Sequence, residues 1–362
     1  MTSLLLDKDH KEDKEAEEFC RLFKDKNNIP KFIYGINEYA ISVAKILEID
    51  GFIDDFREEK EFLGKPVIKL NEAPRDGLVL IAIVGVIPVT VRKRVRNLGL
   101  IHCDYFSFCR YSRLDINKKF LFDFDEFRED FFKNIDRYEE IYNLLSDEES
   151  KDVFWRLINF RLFYDLSYME QFTDRRHEQY FEDFLDLKGQ EIFVDAGGFD
   201  GETTLEFIKR CPSYKAIYFF EPDRENLQIA MERLGSFRDI YFYNIGLYNS
   251  TKRVGFKFDK SASMICKEGE KEIDVDRLDN ILKGSVTFIK MDIEGAEREA
   301  LEGAKDLIIR NRPKLAISAY HRFDDFWRIP ELVLSISDNY SVYMRHYTEG
   351  FTETVLYFIP TN

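Results

Sequence analysis

From Lys31 onward, short runs of consecutive apolar residues alternate with longer stretches in which apolar side chains recur every three or four positions. The first pattern predicts buried strands and the second amphipathic helices. KFIYGI reads as a strand, Asn37 to Leu47 as a helix, and IDGFIDD as a second strand ending in Asp54 and Asp55. Gly64, Lys65 and Pro66 mark a turn, LVLIAIV a third strand, VTVRKRVRNLGL a helix and HCDYFSF a fourth strand. Residues 29–117 therefore read as a small Rossmann-like α/β domain behind a charged segment over 1–28.

Between 118 and 188 the pattern turns helical and aromatic. Phe120, Phe124, Phe127 and Phe131, then Tyr138, Ile141, Leu144 and Leu145, recur at helical spacing, which predicts a helical bridge. Over 189–362, strands again alternate with helices: IFVDAGG, AIYFFEP, IYFYNIGLY, VTFIKMD and KLAISAY read as strands, and TTLEFIKRC, ENLQIAMERL, VDRLDNIL and EREALEGAKDLIIR as helices. VGFKF reads as an antiparallel strand, Asp259 to Glu272 as a loop, and YSVYMRHY-TEGF-TETVLYFIP as a β-hairpin. The predicted fold is α/β. It has a doubly wound, mostly parallel Rossmann-like sheet with a C-terminal hairpin, preceded by the helical bridge and the smaller N-terminal domain.

The most informative stretch is EIFVDAGGFDGETT, Glu191 to Thr204. A strand ends at Asp195 and runs through Gly197, Gly198 and Gly201 into a helix opened by Thr203 and Thr204. Such a turn lets a ligand approach the backbone and is expected to leave the first helical amides free. Glu221, twenty residues past Gly201, ends the next strand, where a carboxylate can hold two ribose hydroxyls. Phe199 stands where a pyrophosphate binder needs its second glycine, so a nucleoside without phosphates fits better than a dinucleotide. S-adenosylmethionine is such a ligand, which makes methyl transfer the leading chemistry. The N-terminal domain's own turn, Gly35-x-Asn37-x-x-Ala40, keeps one of the three glycines. It resembles the N-terminal modules of sugar-modifying and sugar-nucleotide enzymes, and a structural or docking role competes there with nucleotide binding.

Ligands of doubly wound sheets collect at the carboxyl ends of the strands. Those ends carry Asp195, Glu221, Asn244 to Gly246, Asp292 and His321. The candidate cofactor set is Asp195, Gly197, Gly198, Gly201, Thr204, Glu221, Pro222, Asn244, Gly246 and Asp292. MDIEGAE, Met291 to Glu297, crowds three carboxylates at a strand-to-helix turn, where capping alone can account for Glu294 and Glu297. Asp292, Glu294 and His321 are the catalytic candidates, with His321 or a carboxylate as the base. Tyr180, Lys290, Tyr320 and His346 are the candidates for holding the acceptor, and Gln179 to Phe181 for folding back over the ligand. No dedicated metal site is expected; a divalent ion held by Asp292, Glu294 and His321 is the alternative.

Composition narrows the partners. At 362 residues and 44% hydrophobic the chain can bury two cores, and its net charge of −15 opposes affinity for nucleic acid or anionic membrane. Five scattered cysteines (Cys20, Cys103, Cys109, Cys211 and Cys266) form neither a disulfide framework nor a C-x-x-C zinc pair, consistent with a reducing cytoplasmic setting. The opening MTSLLLDKDHKEDKEAEE turns acidic after three leucines, unlike a signal peptide or anchor, and no run approaches a membrane span.

VDAGGFDGETT, EPDRENL, NIGLYN, IKMDIEGAEREALEGA, PKLAISAYH and the closing RHY and TETVLY together resemble the FkbM family of S-adenosylmethionine-dependent methyltransferases, over about residues 177–358. The resemblance implies that Asp195, Gly197, Gly201 and Glu221 hold the cofactor, and Gly198 stands where the family's turn usually has alanine. It also implies O-methylation of a glycan, polyketide or other secondary-metabolite hydroxyl, as in polysaccharide biosynthesis, and leaves room for a homo-oligomer through the N-terminal or helical region. Two other readings stay open: a nucleotide-sugar-modifying enzyme using the N-terminal unit, and a non-catalytic scaffold with a vestigial cofactor site.

Overall fold

The structure is a computed structural model and describes residues 3–26, 28–257, 264–265 and 271–361. The chain forms two compact units. The first gathers 1–135, 152–176 and 346–352, and the second 136–151, 177–345 and 353–362. The helical stretch over 118–188 is thus shared between the two units and makes no body of its own.

The chain opens with α1 (Lys14–Lys24), capped by Asp13, whose side chain accepts from the amides of Glu15 and Ala16. Next come β1 (Lys31–Tyr34), α2 (Glu38–Ala44), β2 (Gly51–Ile53), β3 (Glu61–Phe62), β4 (Lys65–Ile68) and β5 (Leu78–Ile81). α3 (Pro88–Asn97), β6 (Ile101–Asp104), α4 (Tyr105–Ser112) and α5 (Phe124–Lys133) follow. The sheet order is β3-β4-β2-β1-β5-β6, parallel throughout except for β3 against β4. Phe32, Tyr34, Ile53, Val79, Ile81, Val91 and Val95 form its core, as the apolar runs predict. The expected fourth strand HCDYFSF is shorter than its apolar run. Asp104 ends β6 and caps α4 by accepting from the Ser107 amide at 3.0 Å, so Tyr105 to Phe108 become helical.

At the glycine turn of this unit, Gly35 has φ +103° and Asn37 caps α2 through the Ala40 amide. The start of α3 is the position where such a unit offers its helix dipole to an anion. Within this unit, the Glu349 carboxylate fills it, accepting from the Thr90 amide at 2.7 Å and from Thr90 Oγ1 at 2.5 Å. The chain supplies its own anion there.

α6 (Ile135–Leu144) falls mostly in the second unit and α7 (Glu148–Phe163) mostly in the first; the second unit then continues with β7 (Ile192–Ala196), α8 (Glu202–Arg210), β8 (Ala216–Phe220), α9 (Arg224–Leu234), β9 (Ile240–Tyr243) and β10 (Gly246–Leu247). Then come β11 (Lys252–Lys257), β12 (Met264–Ile265), β13 (Lys271–Asp276), α10 (Leu278–Ile281), β14 (Phe288–Met291), α11 (Glu297–Gly303) and α12 (Lys305–Asn311). β15 (Lys314–Ser318), α13 (Asp325–Ile336), β16 (Tyr340–His346) and β17 (Thr354–Pro360) close the chain. Seven strands in the order β16-β17-β15-β14-β7-β8-β9 make the main sheet. β15, β14, β7, β8 and β9 are parallel, and β17 runs antiparallel to β15. Their carboxyl ends therefore share one edge, as the strand-end reading requires. The interior beneath that edge is aromatic, with Phe193 stacked on Phe207 at 4.3 Å and on Phe288 at 5.0 Å.

Several elements differ from the pattern. IYFYNIGLY is two strands: β9 stays in the main sheet, while β10 pairs with β13 in a separate sheet ordered β10-β13-β11-β12. The predicted helix VDRLDNIL begins as strand β13, and only Leu278–Ile281 is helical. The loop expected over Asp259 to Glu272 falls mostly outside the described residues. The single helix expected after Met291 breaks at Ala304 into α11 and α12. α13 lies in a segment to which the sequence reading assigns no element, and it carries Pro330 inside it.

Candidate active site

The turn after β7 is held open by its own side chains. Gly197 and Gly201 take φ +72° and +86°, the left-handed region that glycine enters without strain. Asp195 is fully buried; its Oδ2 accepts from Thr204 Oγ1 at 2.7 Å and its Oδ1 lies 3.0 Å from Lys290 Nζ. The Lys290 ammonium also donates to the Gly197 carbonyl at 2.6 Å. Asp195, Thr204 and Lys290, read from the sequence as ligand contacts, thus form the buried framework of the turn. A carboxylate and an ammonium can be buried together here because each neutralises the other.

Amides of the turn itself are committed, and so is that of Glu202, the first helical residue. Gly197 and Gly198 donate to the Phe220 carbonyl, Phe199 to Glu221 Oε2, Gly201 to the Gly198 carbonyl and Glu202 to Asp200 Oδ1. Such a turn offers little to a phosphate. Gly198 has a packing reason: a Cβ there would stand 2.2 Å from the Phe219 ring, so the alanine usual at this place is not a neutral exchange in this chain.

Glu221 follows β8 and is buried, accepting from the amides of Phe199 at 3.0 Å and Asp223 at 2.9 Å. Burial raises its pKa to about 7, against the opposing pull of those two amides. Asn244 Nδ2 donates to the carbonyls of Glu221 and Pro222 and so braces this loop. Gly246 sits in β10, paired with Val275, where an added Cβ would stand 3.1 Å from Val275 Cγ1. Phe199, at φ +50° and 56% exposed, presents an open aromatic face beside Glu221.

The next strand ends at Asp292. Its carboxylate accepts from Tyr180 Oη at 2.7 Å and from Tyr320 Oη at 3.2 Å, and Tyr180 Oη lies 3.1 Å from Ser318 Oγ. Gln179 Nε2 joins this network by donating to Tyr180 Oη and to Glu353. The segment 179–180 therefore does reach the strand edge. His321 follows β15 with its side chain 4% exposed, Nδ1 3.0 Å from Glu297 Oε1 and Nε2 3.4 Å from Glu294 and 3.5 Å from Asp292. Glu297 Oε1 also accepts from the amides of Ile293 and Gly295.

Burial would lower the His321 pKa, but Glu297, Glu294 and Asp292 outweigh it and raise it well above the ordinary histidine value. Burial would raise Asp292, yet the charges of His321 and Lys290 leave it below the usual carboxylate range. Glu294 goes up, first through burial, then through its two acidic neighbours. The three carboxylates thus favour the charged form of the imidazole that the sequence reads as a base. Glu297, which the sequence assigned to helix capping, caps and contacts the histidine at once. Asp325 stands behind it, buried and pushed up to about 7 by burial and by Glu297.

Tyr180, Phe199, Glu294 and Glu353 all have positive φ, between +50° and +71°. His346 is placed elsewhere. It belongs to the first unit, buried with its Nε2 3.0 Å from the Gly350 carbonyl and its ring edge-on to Phe172, and burial lowers its pKa to about 3.

Residues 195–347 match the family model of the methyltransferase FkbM domain. The crystal structure of methyltransferase FkbM from Methylobacillus flagellatus KT is similar at 27% identity, with a TM-score of 0.76 over 96% of this chain and 94% of that one. An rRNA methylase from Streptococcus thermophilus is 18% identical over 49% of this chain and 92% of that chain, with a TM-score of 0.35. No curated protein matches the chain. The match over 195–347 and the similar fold support a methyltransferase with an FkbM domain, as the sequence resemblance implies.

Proposed function

We propose that the chain is an S-adenosylmethionine-dependent O-methyltransferase acting on a hydroxyl of a glycan or secondary metabolite. One observation carries this reading: the cofactor turn and the Asp292 cluster abut. The Asp292 amide donates to the Ala196 carbonyl at 3.1 Å, and a Cβ on Gly197 would stand 1.9 Å from the Asp292 carbonyl oxygen.

The residues fit the cofactor by chemistry. Glu221 offers acceptor oxygens to two ribose hydroxyls, Gly197 leaves space where a side chain would intrude, and Phe199 offers a flat apolar face. S-adenosylmethionine, when bound, supplies an electrophilic methyl group that needs little activation. The chain's own task is then to place the acceptor oxygen in line and to take its proton. Tyr180 and Tyr320 fix the Asp292 carboxylate, and their rings suit a sugar face. The carboxylates of Asp292 and Glu294, with His321 as counter-cation, receive the hydroxyl proton. The net charge of −15 disfavours a polyanionic acceptor. Glu349 at the start of α3 weighs against the nucleotide-sugar reading, since it takes the place of a phosphate.

Calorimetry with S-adenosylhomocysteine, followed by transfer of labelled methyl to hydroxylated sugars and polyketides, tests the proposal. Binding of nucleotide sugars alone would favour the first unit as the active one, and binding of neither would favour a scaffold. Glu221→Ala should weaken S-adenosylhomocysteine by about 2 kcal/mol, the worth of a charge-assisted pair of hydrogen bonds. Unchanged affinity in a folded variant would remove the ribose assignment.

A pH dependence follows from the same carboxylate. Its pKa in the free protein is raised to about 7, and hydroxyl donors favour the charged form. Affinity should be greatest above pH 7 and fall as pH drops through 7, by up to about tenfold per unit. Glu221→Gln should flatten this profile. A parent profile level between pH 5.5 and 8.5 would contradict it.

A further inference from the structure

We propose that His321 Nε2, Asp292 and Glu294 form a binding site for one octahedral divalent cation of the Mn2+ or Mg2+ type, with Glu297 as the residue that orients the imidazole. Three carboxylates surround one ring. The cations nearest in the fold are engaged elsewhere: Lys290 with Asp195 at 3.0 Å, Arg298 with Asp324 at 3.1 Å and Arg322 with Glu299 at 3.0 Å. Even with His321 charged, Asp292, Glu294 and Glu297 leave an excess of negative charge at one spot. A divalent ion neutralises it.

The histidine is an independent observation pointing to a ligand. Its side chain is more than nine-tenths buried and aimed into the carboxylates, and neither ring nitrogen has a hydrogen-bond partner of good geometry among the described residues. A buried polar group left in that state calls for an explanation. Ligand atoms of Asp292, Glu297 and His321 all fall within 4.8 Å of one another, and Glu294 Oε2 lies 3.4 Å from Nε2. The two nitrogens face different groups. Nδ1 lies 3.0 Å from Glu297 Oε1, which two backbone amides already fix, so this nitrogen keeps its proton, and a bound cation would displace the second proton from Nε2, which faces Asp292 and Glu294. A carboxylate behind a metal-binding histidine is the usual way to set its tautomer.

One imidazole and two carboxylates are a mostly hard donor set. It suits Mn2+ or Mg2+, leaves coordination positions for water or an acceptor oxygen, and lacks the thiolates of a closed zinc site. Asp292 and Glu294 are 24% and 34% exposed, which gives an ion a way in. The backbone at Glu294 is held at φ +56°, and Gly295 follows at +92°, a turn that points the Glu294 carboxylate back toward Nε2. The site does not rest on the methyl-transfer reading, although it lies beside the cofactor turn.

The test is titration of MnCl2 into the full chain, with free Mn2+ followed by electron paramagnetic resonance and S-adenosylhomocysteine binding measured in parallel by calorimetry. Saturable binding of one Mn2+ per chain is expected. Glu294→Gln and His321→Gln should abolish it or weaken it more than about a hundredfold, and Glu297→Gln should weaken it about 10- to 100-fold. Glu294 is partly exposed, so Glu294→Gln keeps the test decisive if the buried His321→Gln fails to fold. No binding of Mn2+ up to millimolar concentration, or binding that all three variants retain, overturns the site. Mn2+ binding without S-adenosylhomocysteine binding leaves the cation site standing and removes the proposed function, whereas the reverse result overturns the cation site alone.

Discussion

Replacing His321 by alanine is expected to lower methyl transfer about 10²- to 10⁴-fold while S-adenosylhomocysteine affinity stays within about threefold of the parent. The asymmetry follows from position. Glu221 and the Gly197 turn, which would hold the donor, follow β8 and β7, whereas His321 follows β15 and touches only Asp292, Glu294 and Glu297 among the carboxylates near it. Removing the ring leaves three acidic groups without the imidazole that faces all of them. They then repel one another, and Asp292 loses the positive partner that sets its carboxylate against the two phenols. The proton leaves the acceptor only as the methyl bond forms, so this loss belongs to turnover and not to binding. Glu297 is 1% exposed and would be left buried without its partner, so the variant is also expected to melt earlier. Turnover is therefore normalised to the fraction that binds S-adenosylhomocysteine. Asp292→Asn should show the same turnover loss without that instability. Turnover within tenfold of the parent in both variants would leave positioning alone as the source of rate.

The part of this site that was legible in the sequence is the part written in backbone chemistry. Glycines at 197 and 201, an acid at the next strand end and another acid at Asp292 are local signals. They survive into the structure because strand ends of a parallel sheet must share an edge. What the sequence hid is the partner each side chain takes. Asp195 and Lys290 occupy neighbouring strands and pair face to face at Cα level, a contact that no spacing along the chain displays. Glu297 reads as a helix-start acid and is one, but its second contact with His321 arises only when β15 lies beside β14. His346 shows the limit of reading from motifs. Its place in a closing motif drew it toward the acceptor, while the segment 346–352 belongs to the other compact unit. The elements follow the same rule. Periodicity found the long strands, whereas Asp104 as a cap turned the end of an expected strand into a helix through one residue.

Gly197→Ala is expected to abolish S-adenosylhomocysteine binding, by a factor of at least about 100, and to lower the melting temperature by roughly 5 °C or more. Two costs add. An alanine held at φ +72° is strained by about 1 kcal/mol or more. Its Cβ would also stand 1.9 Å from the Asp292 carbonyl oxygen, 2.9 Å from the Asp292 carbonyl carbon and 3.1 Å from Ile293 Cγ2. Two of those three atoms are backbone and cannot rotate away, so the ends of β7 and β14 must part. That movement breaks the 3.1 Å hydrogen bond from the Asp292 amide to the Ala196 carbonyl and draws Lys290 off the Gly197 carbonyl. The turn that would cradle the donor and the carboxylate that would face the acceptor are therefore lost together, which separates this variant from His321→Ala, where donor binding persists. Gly284→Ala is the control: nothing lies within 4 Å of the added Cβ, and its backbone is outside the left-handed region, so its stability should change by no more than about 0.5 kcal/mol. If Gly197→Ala binds S-adenosylhomocysteine as the parent does, the close approach of the two strand ends is not what shapes the cofactor site, and the adjacency on which the proposed chemistry rests fails with it.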